Sequence, residues 1–181
     1  MKKLILGGFA IVLFLVIAYF VYGYLYRVSP PDVAKFSQDG VELSIDYSRP
    51  FKNDRLIFGE ESDGALQPYG KYWRVGANEA TKLTVNQPVS IMGNTLETGS
   101  YAMYAFPGKD IWVIGFNSTF DDWGAWEPDY NNDVFRIEVA PLHSDTVVEQ
   151  MVIRIEESSV HFAEIVIAWD NVIIRIPVDK K

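Results

Sequence analysis

The segment VELSIDYS, residues 41–48, decides the fold class of this chain. Its apolar and aromatic side chains occupy every second position, and polar side chains occupy the positions between them. This period of two is typical of a β-strand with one buried face and one solvated face. The same alternation returns in VFRIEVAP, residues 134–141, and in EQMVIRIEE, residues 149–157. Because no helical period is sustained beyond Pro31, the sequence predicts an all-β domain.

Turn signals separate the predicted strands. Gly93-Asn94 lies between VSIM and TLE, and Asp170-Asn171 lies between EIVIAW and VIIRIPV. Both dipeptides favour tight hairpins, since their residues tolerate positive φ angles. About ten short strands at intervals of roughly 8–12 residues are typical of antiparallel sandwiches and barrels. We therefore predict an antiparallel β-sandwich, jelly-roll-like in type, over residues 41–181.

Residues 1–27 are predicted to form a cytoplasmic tip and a transmembrane anchor. Residues 4–25, LILGGFAIVLFLVIAYFVYGYL, contain 22 positions without a charge. As a helix this run would measure about 33 Å, against a hydrocarbon core of about 30 Å. It exceeds the roughly 7–15 apolar residues of a cleavable signal peptide, and no small-x-small cleavage site follows it. Tyrosines cluster at its distal end, as in the aromatic belt of a membrane interface. The sequence thus predicts a retained anchor.

Charges flanking the anchor predict its orientation. Lys2 and Lys3 precede the apolar run, whereas Arg27 alone follows it closely. The positive-inside rule places the N-terminus in the cytoplasm and the rest of the chain in the extracytoplasmic, periplasmic space. Residues 28–40 contain Ser29-Pro30-Pro31 and are predicted as a stiff extended linker.

The chain beyond the anchor is acidic. Removing Lys2, Lys3 and Arg27 from the 16 basic residues leaves 13 against 24 acidic ones, a net charge of −11. Such a surface repels polyanions, so nucleic acid is not an expected partner. The expected partners are the lipid bilayer, through the anchor, and an envelope protein or glycan, through the domain.

Neither a cofactor nor a metal site is predicted. Cysteine is absent, which excludes disulfides, thiolate metal ligands and a cysteine nucleophile. His143 and His161 are the only histidines and lie far apart in sequence, whereas zinc usually recruits several ligands. Neither a Walker loop nor GxGxxG occurs. FDDWGAWEPDYNND, residues 120–133, offers Asp121, Asp122 and other carboxylates for calcium, but a solvated acidic loop is the favoured interpretation.

The aromatic residues of this acidic segment are candidate binding residues. Trp123, Trp126 and Tyr130 occur among Gly, Pro and Asn residues, a composition too irregular for a core strand. Exposed rings of this kind stack on the apolar faces of sugars or on partner side chains. The alternative is that the rings fold back over an open end of the sandwich. Both interpretations stay open at this stage.

The segment PYGKYWRVGANEAT, residues 68–81, concentrates polar and aromatic groups. Arg74, Asn78 and Glu79 lie within six positions, and further guanidinium groups precede them at Arg49 and Arg55. One interpretation is a structural corner in which an arginine pairs with Glu79. The other is a cleft in which these groups bind a carboxylate or a hydroxyl-rich ligand, or in which Glu79 is a general acid or base.

Six stretches of the chain closely resemble the domain-of-unknown-function family 2911 of bacterial envelope proteins: YSRPFKNDRLIFG, LQPYGKYWRVGANEAT, TLETGSYAMYAFPG, DIWVIGFN, WGAW and DVFRIEVAP. The resemblance covers residues 41–169 and implies an exported β-sandwich with no established reaction. Glu60 to Ala65 departs from the family pattern as an acidic insertion beside the motif. The motif residues, none with an assigned role, are Arg49, Tyr69, Trp73, Arg74, Asn78 and Glu79.

Two functional hypotheses follow. The favoured one is a non-enzymatic, membrane-anchored binding or accessory module, acting as a subunit of a membrane complex or on an envelope glycan. The second is a carbohydrate-active envelope hydrolase or lyase. In that case Glu79 would be the acid or base, Arg74 and Asn78 would orient the substrate, and Trp73 or Trp123 would form a stacking platform.

Overall fold

The structure is a computed structural model that describes residues 11–19, 23, 28–120, 124 and 126–181. Within these residues the strands are β1 (Pro31–Gln38), β2 (Val41–Ser48), β3 (Phe58–Gly59), β4 (Gln67–Pro68), β5 (Thr81–Val85), β6 (Val89–Ile91), β7 (Asn94–Leu96), β8 (Gly99–Phe106), β9 (Trp112–Asn117), β10 (Asp133–Val139), β11 (Leu142–Glu157) and β12 (Ala163–Lys180). Short 3-10 helices cover Glu61–Asp63 and Tyr130–Asn132. The prediction of an all-β domain is confirmed.

Most of the predicted anchor, residues 4–25, lies outside the described residues. Residues 11–19 are helical and exposed. Among the residues that the structure describes, no helix combines the length and the apolar character needed to cross a bilayer.

The strands form two antiparallel sheets and one short parallel pair. The larger sheet has the order β1-β2-β5-β8-β9-β10, and the smaller has the order β11-β12-β6-β7. β3 pairs in parallel with β4 between β2 and β5 in the chain. Leu43 and Ile45 of the larger sheet share one hydrophobic cluster with Ile165 and Ile167 of the smaller sheet. The two sheets therefore bury a common core.

The alternating pattern that predicted the strands also describes their burial. In β2, Val41, Leu43, Ile45 and Tyr47 are each buried, whereas Glu42 between them is exposed. The same holds for the apolar positions Met151, Ile153 and Ile155 of β11. Burial of one strand face supplies the main stabilisation of such sheets.

The predicted linker over residues 28–40 requires a correction. β1 covers Pro31–Gln38 and pairs with β2 along its full length, from Pro31 opposite Ser48 to Gln38 opposite Val41. The turn is Asp39-Gly40, in which both residues have positive φ, 49° and 80°. This Asp-Gly pair is a strong hairpin signal. Pro31 is compatible with a strand here because β1 lies at the edge of the sheet.

The two predicted hairpins have different outcomes. β6 and β7 form a hairpin in which Ile91 lies opposite Asn94, so the turn residues are Met92 and Gly93. Asp170, in contrast, lies within the continuous strand β12, where its φ is 55° and the register with β11 shifts. The hairpin at Asp170-Asn171 is wrong, because a single left-handed residue can be absorbed as a bulge when the flanking strand stays paired.

Candidate functional site

The segment between β4 and β5 folds into a tight loop, the corner, defined as residues 68–81. Its own side chains donate hydrogen bonds to three of its backbone carbonyl oxygens. The Trp73 indole Nε1 donates to the oxygen of Gly76 at 3.2 Å, and the Thr81 hydroxyl donates to that of Val75 at 2.8 Å. Arg74 Nη1 donates to the oxygen of Asn78 at 2.9 Å. Three motif side chains therefore hold the backbone of the corner itself.

The backbone of the corner is strained. Val75 and Asn78 have φ angles of 53° and 61°. A β-branched residue in this left-handed region is a rare outlier, and each such residue costs about 1–3 kcal/mol. A Cβ atom on Gly76 would lie 2.9 Å from the oxygen of Ser48. Glycine is needed at this position because β2 approaches the corner so closely.

Trp73 belongs to the core. It is 2% exposed, and its backbone pairs with Ala105 of β8 through two hydrogen bonds of 2.8 Å. Its ring stacks on Trp169 with the centroids 5.9 Å apart, and it meets Phe58 and Trp112 edge-on. Such a ring is inaccessible to a sugar, so the structure does not place Trp73 as an exposed stacking platform.

A cleft with a volume of about 320 Å³ opens beside the corner. One wall is the corner, which Trp73 attaches to β8. The segment after β2 also lines the cleft, and Phe51 attaches this segment to β11 through a bridge to Gln150. The described lining consists of residues 28–29, 50–51, 53, 55, 66–67, 72–74, 76–77 and 169. This volume falls at the lower end of the range of about 300–1,000 Å³ for small-molecule sites.

The cleft is lined by Arg55 and Arg74, and its described lining contains no Asp or Glu. Arg55 is exposed and donates to the backbone oxygens of Phe51 and Lys52. Arg74 is half-buried and donates to Asn78. Each guanidinium group has five N–H donors, and these contacts use only some of them.

Trp169, which is also among the lining residues of the cleft, has an unusual buried donor. This residue is 1% exposed, and its indole Nε1 is buried without a hydrogen-bond acceptor among the described residues. A buried N–H group without an acceptor costs about 1–3 kcal/mol. The few such groups in native proteins call for a specific explanation.

The sequence of most of the chain identifies the family to which it belongs. Residues 29–178 match the model of a family described as protein of unknown function (DUF2911). The chain belongs to the DUF2911 family. No match was found among curated proteins or among solved structures.

Two of the predicted binding residues of this DUF2911 protein, Arg49 and Tyr69, make contacts that hold the fold together. Arg49 lies at the end of β2, where its Nε donates to the oxygen of Met151 at 3.0 Å and its Nη1 pairs with Asp32 at 3.2 Å. It thereby connects β1 to β11. Tyr69 is half-buried and packs on the core, and its N–H donates to Gly59. Neither residue is part of the described lining of the cleft.

Asn78 and Glu79 do not converge with Arg74 in the cleft. The Asn78 side chain is half-buried and donates to the oxygen of Ser29 at 3.1 Å, which connects the corner to the start of β1. Glu79 is exposed and engages in contacts of its own, and it is not among the described residues that line the cleft. Of the predicted site residues, the cleft brings together Trp73 and Arg74.

The aromatic segment meets the corner at a glycine. Gly124 is buried, and a Cβ atom there would lie 2.8 Å from Arg74 Cδ and from the Ala80 nitrogen. Its oxygen accepts a hydrogen bond of 3.3 Å from the hydroxyl of Tyr72. Trp126 is 72% exposed, and Trp123 lies outside the described residues. The two motifs that the sequence analysis singled out are therefore neighbours.

Asp129 and Asp133, which follow Trp126 in the chain, form hydrogen bonds within the fold. Asp133 accepts from the Tyr104 hydroxyl at 2.6 Å, from Asn117 Nδ2 at 2.8 Å and from Arg136 at 2.7 Å. Asp129 caps the adjacent 3-10 helix. Among the described residues, which exclude Asp121 and Asp122, no group of three or more His, Cys, Asp or Glu residues is arranged to hold a metal.

Sequence reasoning missed an arginine–aromatic cluster on the outer face of the larger sheet. Arg136 lies over the rings of Tyr104, Phe106 and Tyr130, at 4.7 Å from the Tyr130 centroid. Burial and the neighbouring carboxylates raise the pKa of Tyr104 and of Tyr130 well above the ordinary value of 10.0. The sequence signal for this cluster was that Tyr104 and Phe106 alternate with Met103 and Ala105 and so lie on the opposite face of the strand.

Proposed function

We propose that this DUF2911 protein is a membrane-anchored, extracytoplasmic binding module, and that its ligand site is the cleft beside the corner. The two sheets with a common core support the sandwich architecture. The observation that carries the proposal is the cleft itself, about 320 Å³ in volume and lined by corner residues together with Arg55 and Trp169. Concave clefts that combine apolar side chains with a few placed polar groups are the usual form of a ligand site.

The position of the cleft suits a protein that acts at a membrane surface. Val28 and Ser29 line the cleft, and Asn78 bonds to Ser29. In the sequence these two residues directly follow the proposed anchor, residues 4–25 with Arg27 at its boundary. A ligand in the cleft, whether it comes from an envelope glycan or a protein partner, would therefore bind close to the bilayer.

The proposed extracytoplasmic location of the domain is tested with reporter fusions to Lys181 of the full chain. We expect a reporter that is active only outside the cytoplasm to be active, and one that is active only inside to be silent. The reverse result would contradict the proposed orientation.

Binding is tested by thermal unfolding of the detergent-purified full chain against neutral sugars, amino acids, short peptides and carboxylates. A ligand that binds only the native state raises the melting temperature, and the rise grows with the logarithm of its concentration above the Kd. Ala77 lines the cleft, so Ala77→Phe should abolish the rise. Ala140→Phe, at an exposed position after β10, should preserve it. No rise with any class would count against a binding module.

The alternative function, a carbohydrate-active hydrolase or lyase, receives less support. Its acid or base, Glu79, is exposed and is not among the described lining residues of the cleft. Turnover of an envelope glycan that is lost in a folded Glu79→Gln variant would nevertheless establish it.

A further inference from the structure

We propose that the cleft binds a small monocarboxylate with an apolar body, whose carboxylate pairs with Arg55 and Arg74. This inference rests on the proposed function, since it names the ligand class of the same site. It begins from the pairing of the arginine side chains.

The arginines of the described residues fall into two groups. Arg49, Arg136, Arg154 and Arg175 each form an ion pair with an Asp or Glu side chain at 2.6–3.7 Å. For Arg55 and Arg74, in contrast, the described part of the chain, which excludes Asp121 and Asp122, supplies no carboxylate within ion-pair distance. These two arginines line the same cleft.

The wider charge distribution makes this pairing pattern informative. The chain has 24 acidic residues and a net charge of −8, so carboxylates are abundant. A cleft whose described lining has two guanidinium groups and no carboxylate is a local exception. Guanidinium forks match the planar geometry of a carboxylate, with two parallel N–H···O bonds. An anionic ligand would balance the charge of these two guanidinium groups, for which the described residues supply no carboxylate.

The remaining walls describe the rest of the ligand. Val28, Leu66 and Trp169 contribute apolar surface, and Gln67 contributes an amide. Trp169 is 1% exposed, so it contributes ring surface to the wall of the cleft. An amphipathic monocarboxylate fits both the guanidinium groups and these apolar wall residues. A polyanion such as a phosphate ester cluster would leave the apolar walls without a partner.

The experiment is isothermal titration calorimetry on the detergent-purified full chain. The probes are aliphatic, aromatic and uronic monocarboxylates at millimolar concentration, each with its neutral amide, together with inorganic phosphate. Carboxylates should bind, and their amides should bind roughly tenfold or more weakly, since charge-assisted hydrogen bonds are about twice as strong as neutral ones. Anionic vesicles of phosphatidylglycerol, against phosphatidylcholine, separate a lipid headgroup from a free carboxylate.

Matched variants locate the binding. Arg55→Ala and Arg74→Lys should each weaken carboxylate binding about tenfold, because they remove a planar fork. Arg175→Ala removes the same charge from a paired arginine and should leave affinity unchanged. Thermal unfolding of each variant shows whether it is folded.

The outcomes separate this inference from the proposed function. If neutral probes bind as well as carboxylates and Ala77→Phe abolishes both, the cleft is a site but the ligand class is wrong. Preferential binding of phosphate or of anionic vesicles would also overturn the carboxylate. If none of these probes binds while a sugar, amino acid or peptide raises the melting temperature of the native chain but not of Ala77→Phe, the carboxylate inference fails and the binding function stands. If nothing binds in either experiment, both fail.

Discussion

Arg136 and Arg74 both lie beside aromatic rings, but they differ in whether a carboxylate pairs with them. Arg136 lies over three rings, and both its Nε and its Nη2 contact Asp133 at 2.7 Å. Arg74 lies beside Trp73 and Tyr72 in the cleft, and the described residues offer it a carbonyl oxygen but no carboxylate. The Arg136 cluster contains its own carboxylate, whereas the described lining of the cleft contains none. The difference teaches that partner saturation, more than residue type, distinguishes a structural cluster from a candidate site.

The largest expected effect comes from breaking the complete cluster. Asp133→Ala removes the acceptor of Tyr104, Asn117 and Arg136 at once. Removing the acceptor of the buried Tyr104 hydroxyl and the counter-charge of Arg136 should lower the free energy of unfolding by about 3 kcal/mol. Urea denaturation of Asp133→Ala measures this loss, with Asp110→Ala at an exposed loop position as the control. A loss equal to that of the control would mean that the cluster contributes little.

The next largest loss of stability is expected from a substitution at Gly76, which lines the cleft. Gly76→Ala would place a Cβ atom 2.9 Å from the oxygen of Ser48 and should cost roughly 2–3 kcal/mol. Gly70 also has positive φ, 71°, but no atom lies within 4 Å of its added Cβ. Gly70→Ala should therefore cost only about 1 kcal/mol. Equal losses in denaturant titrations would show that the close approach of β2 is unimportant.

A direct comparison of the two regions uses the arginines. Arg136→Ala removes an ion pair and three ring contacts and should destabilise the protein by about 2 kcal/mol. Arg55→Ala removes hydrogen bonds at an exposed position and should cost less than about 1 kcal/mol. Unfolding free energies of both variants test this order. A larger loss for Arg55→Ala would assign the cleft arginine to stability and weaken the comparison.

The smallest effect is a dependence on pH. Burial and carboxylate neighbours raise the folded-state pKa of Tyr104 above the ordinary value of 10.0. The folded state therefore holds the phenol proton more tightly than the unfolded state does. The resulting stabilisation is complete below pH 10 and is lost as the pH rises above it towards the folded-state pKa. Tyr104→Phe should reduce the fall in unfolding free energy between pH 9 and pH 12, roughly the window around the unfolded tyrosine pKa. An unchanged fall would place the dependence elsewhere.

Sequence reasoning succeeded where local pattern was sufficient. The alternation in VELSIDYS predicted a strand with four buried positions, all of which are buried. The turn at Gly93-Asn94 is a hairpin shifted by one residue. It failed at Asp170-Asn171, where the same local signal occurs inside a continuous strand. It also failed for Pro31–Gln38, because prolines obscured an edge strand that its pairing with β2 defines.

The candidate site was predictable only in part. The sequence singled out Arg74, and it noted Arg55 as an additional guanidinium group. It offered no sign that Trp169 lies beside them, since EIVIAW read as an ordinary buried strand. Glu79, chosen for its proximity in sequence to Arg74, is exposed and does not line the described cleft. Neighbours in a strained loop can point to different sides of the chain.

By itself, the sequence determined the all-β class, the family membership, the acidic surface and the apolar N-terminal run, because each is a property of local pattern or composition. Only the tertiary structure decided which arginines have carboxylate partners and which residues share the cleft. Ion pairs such as Arg49–Asp32 and Arg175–Glu164 join different parts of the chain. The cleft likewise draws its lining from residues between 28 and 169. Such contacts arise when sheets pack over a common core, and no local pattern encodes them.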